Sequence, residues 1–157
     1  LKCKNYISSN YFLMLMPDDL ILSSNCSKSL IKLHKKFKAS IIASKKVDKK
    51  DVSRWGIFDP QKIDKRNFFI RDVIEKPNIK SAPSNYAVIG RYILPKAIFK
   101  ILEKQKPGKN GEIHITDSIR TLIKEKNKFI GHNFAGKYLD CGTMNGYIKA
   151  SLKISKL

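Results

Sequence analysis

Apolar positions along the chain fall into short blocks with two spacings. Residues 11–16 (Tyr-Phe-Leu-Met-Leu-Met) form a continuous apolar run that Pro17 stops, the length and bulk of a buried strand. Ser23–Ser27 is a turn cluster rich in helix N-cap residues. From about Ser27 to Lys38 the spacing becomes helical: Leu30, Leu33, His34 and Phe37 share one face and lysines take the other. On that face His34 reads as a packed or boundary residue rather than a ligand. Residues 39–44 (Ala-Ser-Ile-Ile-Ala-Ser) read as a second strand. Strand, helix, strand is the rhythm of a βαβ unit over a mostly parallel sheet.

The same reading continues downstream. A short strand is expected near Val52–Phe58, with a turn at Asp59–Pro60. Residues 67–77 form a strand ending at Pro77, and 86–94 another with Gly90 inside it. Glycine weakens a strand unless a bulge or a close approach needs it. Pro95 suits a first helical position ahead of Ala97, Ile98, Ile101 and Leu102. Residues 106–112 form a turn, and Thr116 can cap a helix carrying Ile119, Leu122 and Ile123 through about Lys126. Residues 128–134 are a short strand and 135–143 a loop; Thr143 caps a last helix through Met144, Tyr147, Ile148 and Leu152. No repeat or linker interrupts the pattern, so residues 1–157 are read as a single α/β domain.

Composition changes this picture little. Hydrophobic residues make up 42% and aromatics 10%, the proportions of a globular protein with a real core. No apolar run approaches the roughly 18–20 residues of a membrane span, and the polar start carries no cleavable signal pattern. Cys3, Cys26 and Cys141 are odd in number and far apart, which argues against a disulfide framework and for a reducing compartment. The expected location is the cytoplasm. No Cys or His spacing suits zinc. Charge is the unusual quantity: 32 Lys+Arg against 13 Asp+Glu, a net +19. Such a balance can mark a nucleic-acid binder. Here the lysines spread along the whole chain in short blocks, with no zinc finger, aromatic RNA-binding octapeptide or GXXG clamp, so a solvated basic surface is the better reading.

Three carboxylate-bearing stretches carry the candidate chemistry. Asp18 and Asp19 stand at a strand end, where open α/β sheets bind ligands, and two carboxylates there suit a hard cation such as Mg2+. Taken alone, the pair is better read as a solvated turn. Glu75 and Lys76, also at a strand end, can accept sugar hydroxyls and neutralise a phosphate. Strand alternation points the two apart, unless a bend before Pro77 brings both into a cleft. Asp140, ahead of Gly142 and a helix start, is a second metal ligand or a loop cap.

Order and flanks narrow these choices. L-M-P-D-D-L-I (15–21), V-S-R-W-G-I-F-D-P (52–60), E-K-P (75–77), A-P-S-N (82–85), G-R-Y (90–92), G-x-N-G-E-I-x-I-T-D (108–117) and Y-L-D-C-G-T (138–143) follow one another in the chain. The sequence thereby resembles the bacterial UTP–glucose-1-phosphate uridylyltransferases from about Phe12 to Ala150. The resemblance implies a partial Rossmann-like nucleotidyltransferase fold, a mixed, mostly parallel sheet with flanking helices. It implies UTP and glucose 1-phosphate as substrates, UDP-glucose and pyrophosphate as products, Mg2+ as cofactor, and self-association. By the same likeness, Asp18 and Asp140 hold the metal and Asp19 fixes the loop. Lys76 holds the sugar phosphate and Glu75 accepts glucose hydroxyls. Gly90 lets backbone approach the sugar, and Glu112 lies near the sugar pocket or simply at a helix start. Asp117 is a helix-start residue. Trp55, Thr143 and Met144 depart from the family's common residues.

One departure is larger. The family's Gly-rich G-x-G-T-R loop, whose amides cradle the UTP phosphates, has no counterpart in these 157 residues. The chain looks like the C-terminal portion of the enzyme, with the first strands of the sheet missing and an edge and apolar surface exposed. Little transferase activity is expected of these residues alone. Two other readings stay open: a nucleotidyltransferase for another sugar phosphate, and a basic binding module that keeps the fold without catalysis.

Overall fold

A computed structural model describes residues 1–22, 25–108 and 111–156. Eight strands and four α-helices are found among them: β1 (Tyr11–Leu15), β2 (Asp19–Leu22), α1 (Cys26–Phe37), β3 (Ser40–Lys46), β4 (Gly56–Lys62), β5 (Asn67–Glu75), β6 (Tyr86–Pro95), α2 (Ile98–Lys104), α3 (Ile115–Lys124), β7 (Phe129–Asn133), β8 (Lys137–Asp140) and α4 (Met144–Ile154). The expected turn clusters at 23–27 and 106–112 lie partly outside the described residues.

The larger sheet has the order β1-β6-β3-β7-β5-β4, with one further β6–β4 contact; β2 and β8 form a separate antiparallel ribbon. This is the mixed α/β architecture the sequence pattern implies, but the balance of directions differs. β3 and β7 pair in parallel, and the other pairings of the sheet are antiparallel. The βαβ rhythm was real, yet β1 and β3 never touch. β6 enters between them antiparallel to both, so the two are parallel only at one remove.

Strand alternation sends side chains to two cores. Ile41 and Ala43 join Leu30 of α1 on one face, while Ile42 joins Ile98 and Phe99 of α2 and Ile119 and Leu122 of α3 on the other. Both faces of the sheet are therefore covered, which makes β3 buried along most of its length. α1 starts on Asn25, whose side chain accepts from the Lys28 N–H, and ends at Lys38, a left-handed residue with φ 51°. His34 is a boundary residue as expected: its Nδ1 lies 2.7 Å from the Ala39 carbonyl.

Several elements fall elsewhere than their local pattern suggests. The segment before β4 is a 3-10 helix (Lys49–Arg54), and Asp59–Pro60 lies within β4 as an irregularity in its pairing with β5. Pro tolerates this because a bulge removes the need for its missing N–H. Pro95 ends β6 rather than opening a helix. Residues 137–140, read as loop, pair with the unexpected strand β2. Thr116 does not cap α3; His114 takes the N-cap position without a side-chain capping bond, and Asp117 lies in the first turn as expected. β1 closes one end of the sheet order, and Leu15 and Met16 are exposed beside it.

Candidate active site

A cavity of about 330 Å³ opens where the ends of β1 and β5 meet the ribbon and the start of α3. Asp18, Glu75, Lys76 and Asp140 all line it, from three stretches far apart in the chain. Gly90 and Glu112 stand outside that lining.

One wall is made by the end of β5. Alternation along a strand would send Glu75 and Lys76 to opposite faces. Lys76 instead adopts φ 42°, a left-handed conformation disfavoured for a residue with a Cβ and more so before proline. Its N–H donates to the Trp55 carbonyl at 3.0 Å, holding the bend against β4. Both side chains consequently face the cavity. Glu75 is largely buried and is fixed by Thr116, whose hydroxyl donates to Oε2 at 2.7 Å. That contact is where the Thr116 hydroxyl goes in place of a helix cap. His114 stands beside them, its Nδ1 3.8 Å from Glu75 Oε1 and its Nε2 3.6 Å from Oε2 of the exposed Glu112.

The other wall is carboxylate-rich. The β1–β2 link carries Asp18 and Asp19, and antiparallel pairing sets Asp19 opposite Asp140. The adjacent aspartates face different surroundings. Asp19 is half-buried and accepts hydrogen bonds from the Gly90 N–H and the Tyr138 hydroxyl. Burial raises its pKa above the ordinary value, with Asp18 and Asp140 adding to the rise and the two donors opposing it. Burial and the bond to Asp19 likewise push the Tyr138 hydroxyl up. Gly90 is explained here. A Cβ at that position would overlap the Met16 side chain and the Asp19 carboxylate, so the close approach is made by the protein's own β1–β2 link.

Asp18 and Asp140 converge beside Gly142. A Cβ built on Gly142 would lie 3.0 Å from Asp18 Oδ2 and 3.2 Å from Asp140 Oδ1, so both oxygens border one small space. Two hard carboxylate oxygens facing a common space, with room for further oxygen ligands in the cavity, fit an ion such as Mg2+. No cluster of three or more metal-binding side chains occurs among the described residues. Asp140 also meets a cation of the protein: Arg54 Nη2 donates to its Oδ2 at 2.9 Å.

Arg54, Trp55, His114, Thr116 and Tyr138 line the cavity and had no part in the site expected from the sequence, where Thr116 was read only as a helix cap. Arg54 and Trp55 lay in a quoted motif, and His114 and Thr116 in another, but no spacing rule links them to Glu75 or Asp140. Only the β2–β8 ribbon brings Tyr138 to Asp19. Among the described residues no helix is long and apolar enough to cross a membrane.

The chain is 39% identical over 158 residues to a UTP–glucose-1-phosphate uridylyltransferase of Streptococcus pyogenes serotype M1, covering 97% of this chain and 52% of that protein. It is 36% identical over 148 residues to the enzyme of that name from Pseudomonas aeruginosa, covering 92% of this chain and 53% of that protein. A crystal structure of UDP-glucose pyrophosphorylase complexed with UDP-glucose superposes with a TM-score of 0.91 at 41% identity, covering 98% of this chain and 59% of that one. The chain thus spans about half the length of the curated relatives it matches. A family model described as nucleotidyl transferase matches residues 1–156, and with the fold likeness in agreement, the chain belongs to the nucleotidyl transferase family.

Proposed function

We propose that this chain supplies the sugar-phosphate and metal side of a UTP–glucose-1-phosphate uridylyltransferase. The reaction joins a phosphate oxygen of glucose 1-phosphate to the α-phosphorus of UTP. The bond from that phosphorus to the bridging oxygen breaks, and pyrophosphate leaves. The observation that carries the reading is the meeting of Asp18, Glu75, Lys76 and Asp140 in one cavity. Phosphoryl-type transfer needs positioning and charge neutralisation more than a covalent nucleophile, and these side chains are suited to both. The Lys76 ammonium binds the sugar phosphate. Glu75, held by Thr116, accepts hydroxyls of the sugar. Asp18 and Asp140 would hold Mg2+, which would supply charge neutralisation at the phosphates. Asp19 keeps the β1–β2 link in place through Gly90 and Tyr138. These 157 residues contain no G-x-G-T-R loop for the triphosphate, so weak or no transfer is expected from them alone.

Calorimetric titration with glucose 1-phosphate tests the reading. Lys76→Ala should weaken binding by about 10- to 100-fold, the worth of a charge-assisted contact to phosphate. Unchanged affinity in that variant would overturn the role of Lys76. Tighter binding of another hexose 1-phosphate would reassign the sugar. Salt-sensitive binding of nucleic acid, with no sugar phosphate bound, would favour the basic binding module.

A further inference from the structure

We propose that Arg54 is a built-in competitor for the divalent cation at Asp140, and so sets how tightly this chain binds metal. The inference rests on the reading of Asp18 and Asp140 as the metal carboxylates. The two oxygens of Asp140 are divided between different neighbours. Oδ1 accepts the Gly142 N–H at 3.0 Å and borders the space it shares with Asp18. Oδ2 accepts from Arg54 Nη2 at 2.9 Å. A cation entering beside Asp18 therefore meets a carboxylate already partnered by a guanidinium, whose positive charge repels it across a single carboxylate.

Arg54 could instead serve to orient Asp140 for the metal, but other contacts already do so. Asp140 is fixed by its pairing with Asp19 in the β2–β8 ribbon and by the Gly142 N–H. What Arg54 adds is charge. It is also built to yield. Its side chain is 51% exposed, its guanidinium lies 4.6 Å from the centre of the Trp55 ring, and it borders a second cavity of about 400 Å³ alongside the first. Moving off Asp140 leaves it stacked and solvated rather than stranded in the core. Half-exposed ion pairs are weak, so a divalent ion can displace it.

Manganese binding followed by electron paramagnetic resonance tests this on the 157-residue chain without any assay of transfer. Arg54→Gln should tighten Mn2+ binding by about three- to tenfold, and the gain should shrink in high salt. Arg54→Lys keeps the charge and should bind as the wild type does. Asp18→Asn and Asp140→Asn should weaken binding. If Arg54→Gln leaves affinity unchanged or lowers it while both Asn variants weaken it, the competitor role is wrong and the metal reading stands. If Arg54→Lys tightens binding as much as Arg54→Gln, charge is not the cause and the proposal fails. If both Asn variants bind as the wild type does, the metal reading falls and the proposal with it.

Discussion

The two walls of the cavity are built by opposite means. The β5 wall belongs to the main sheet: Val73 is buried, Glu75 keeps only 16% of its side chain exposed, and Thr116 comes from a helix packed on the core. The carboxylate wall hangs on a two-stranded ribbon outside that sheet, where every residue of β2 is only half-buried. The first wall places one anion with a hydroxyl. The second gathers three aspartates and separates them by environment, one held by neutral donors, one paired with Arg54, and one facing the shared space. Rigidity comes from the core on one side. On the other it comes from a few hydrogen bonds across Gly90, so that side has more freedom to adjust to charge.

A methyl group added to each wall tests this difference directly. At Gly90 it would overlap both Met16 and Asp19, and the Met16 N–H is tied to the Gly90 carbonyl at 2.8 Å, which limits escape. Gly90→Ala should lose roughly 1–3 kcal/mol and several degrees of melting temperature, as overpacking does in a chain of this size. At Gly56 the added carbon would come 2.9 Å from the Thr116 methyl and 3.1 Å from Glu75 Oε2, side-chain atoms able to give by tenths of an ångström. Gly56→Ala should lose less than about half as much. Urea melts of the two variants decide. Equal losses would mean the β1–β2 segment gives way to the added carbon as readily as the side chains around Gly56 do.

The comparison also shows what was legible in the residues. β5 and β6 are long apolar runs, and their place needs no partner to be read. The motifs placed Asp18, Glu75, Lys76 and Asp140 together because likeness carries tertiary information that periodicity lacks. What stayed hidden was non-local. β2 and β8 are four residues each and half-exposed, too short and too polar to stand out, and each is a strand only because the other is there. The left-handed turn at Lys76 goes against strand alternation and the usual preference before proline, and it is the bend before Pro77 that the sequence had left open. Thr116 had a plausible local use as a cap, and the carboxylate of Glu75, far away in sequence, outcompeted it. Gly90, expected to let backbone approach the sugar, has Met16 and Asp19 as its close neighbours. The antiparallel entry of β6 between β1 and β3 follows from topology that no single segment encodes.

A smaller effect comes from the hydroxyl on the β5 wall. Thr116 is 5% exposed, so Thr116→Val preserves shape while removing the donor to Glu75. The carboxylate would then have one fewer donor. A loss of about 1–2 kcal/mol in stability is expected, together with several-fold weaker glucose 1-phosphate binding. Thr116→Ser keeps the donor and should restore binding more than stability, because it still lacks the methyl. If Thr116→Val binds the sugar phosphate as the wild type does, Glu75 is placed by the strand alone and the hydroxyl is incidental.

The smallest expected effect is a slope rather than an offset, and it comes from Asp19. Its pKa is raised in the folded chain, first by burial, from an ordinary value of 3.8. The folded state therefore holds this proton more tightly than the unfolded one. The stability it contributes is fully present below the unfolded value and is lost as pH rises through the folded value. Asp19→Asn cannot titrate, although its amide also meets two donors and must forfeit one of them. That forfeited bond shifts the variant at every pH, whereas the proton affects only the wild type. The stability of wild type relative to Asp19→Asn should thus decline as pH rises above the ordinary value of 3.8 in urea titrations, as linkage requires. A gap that holds constant over that range would mean the Gly90 and Tyr138 donors fully offset burial. Asp19 would then be as well solvated by protein as Asp18 is by water, and the contrast between the neighbouring aspartates would be one of position alone.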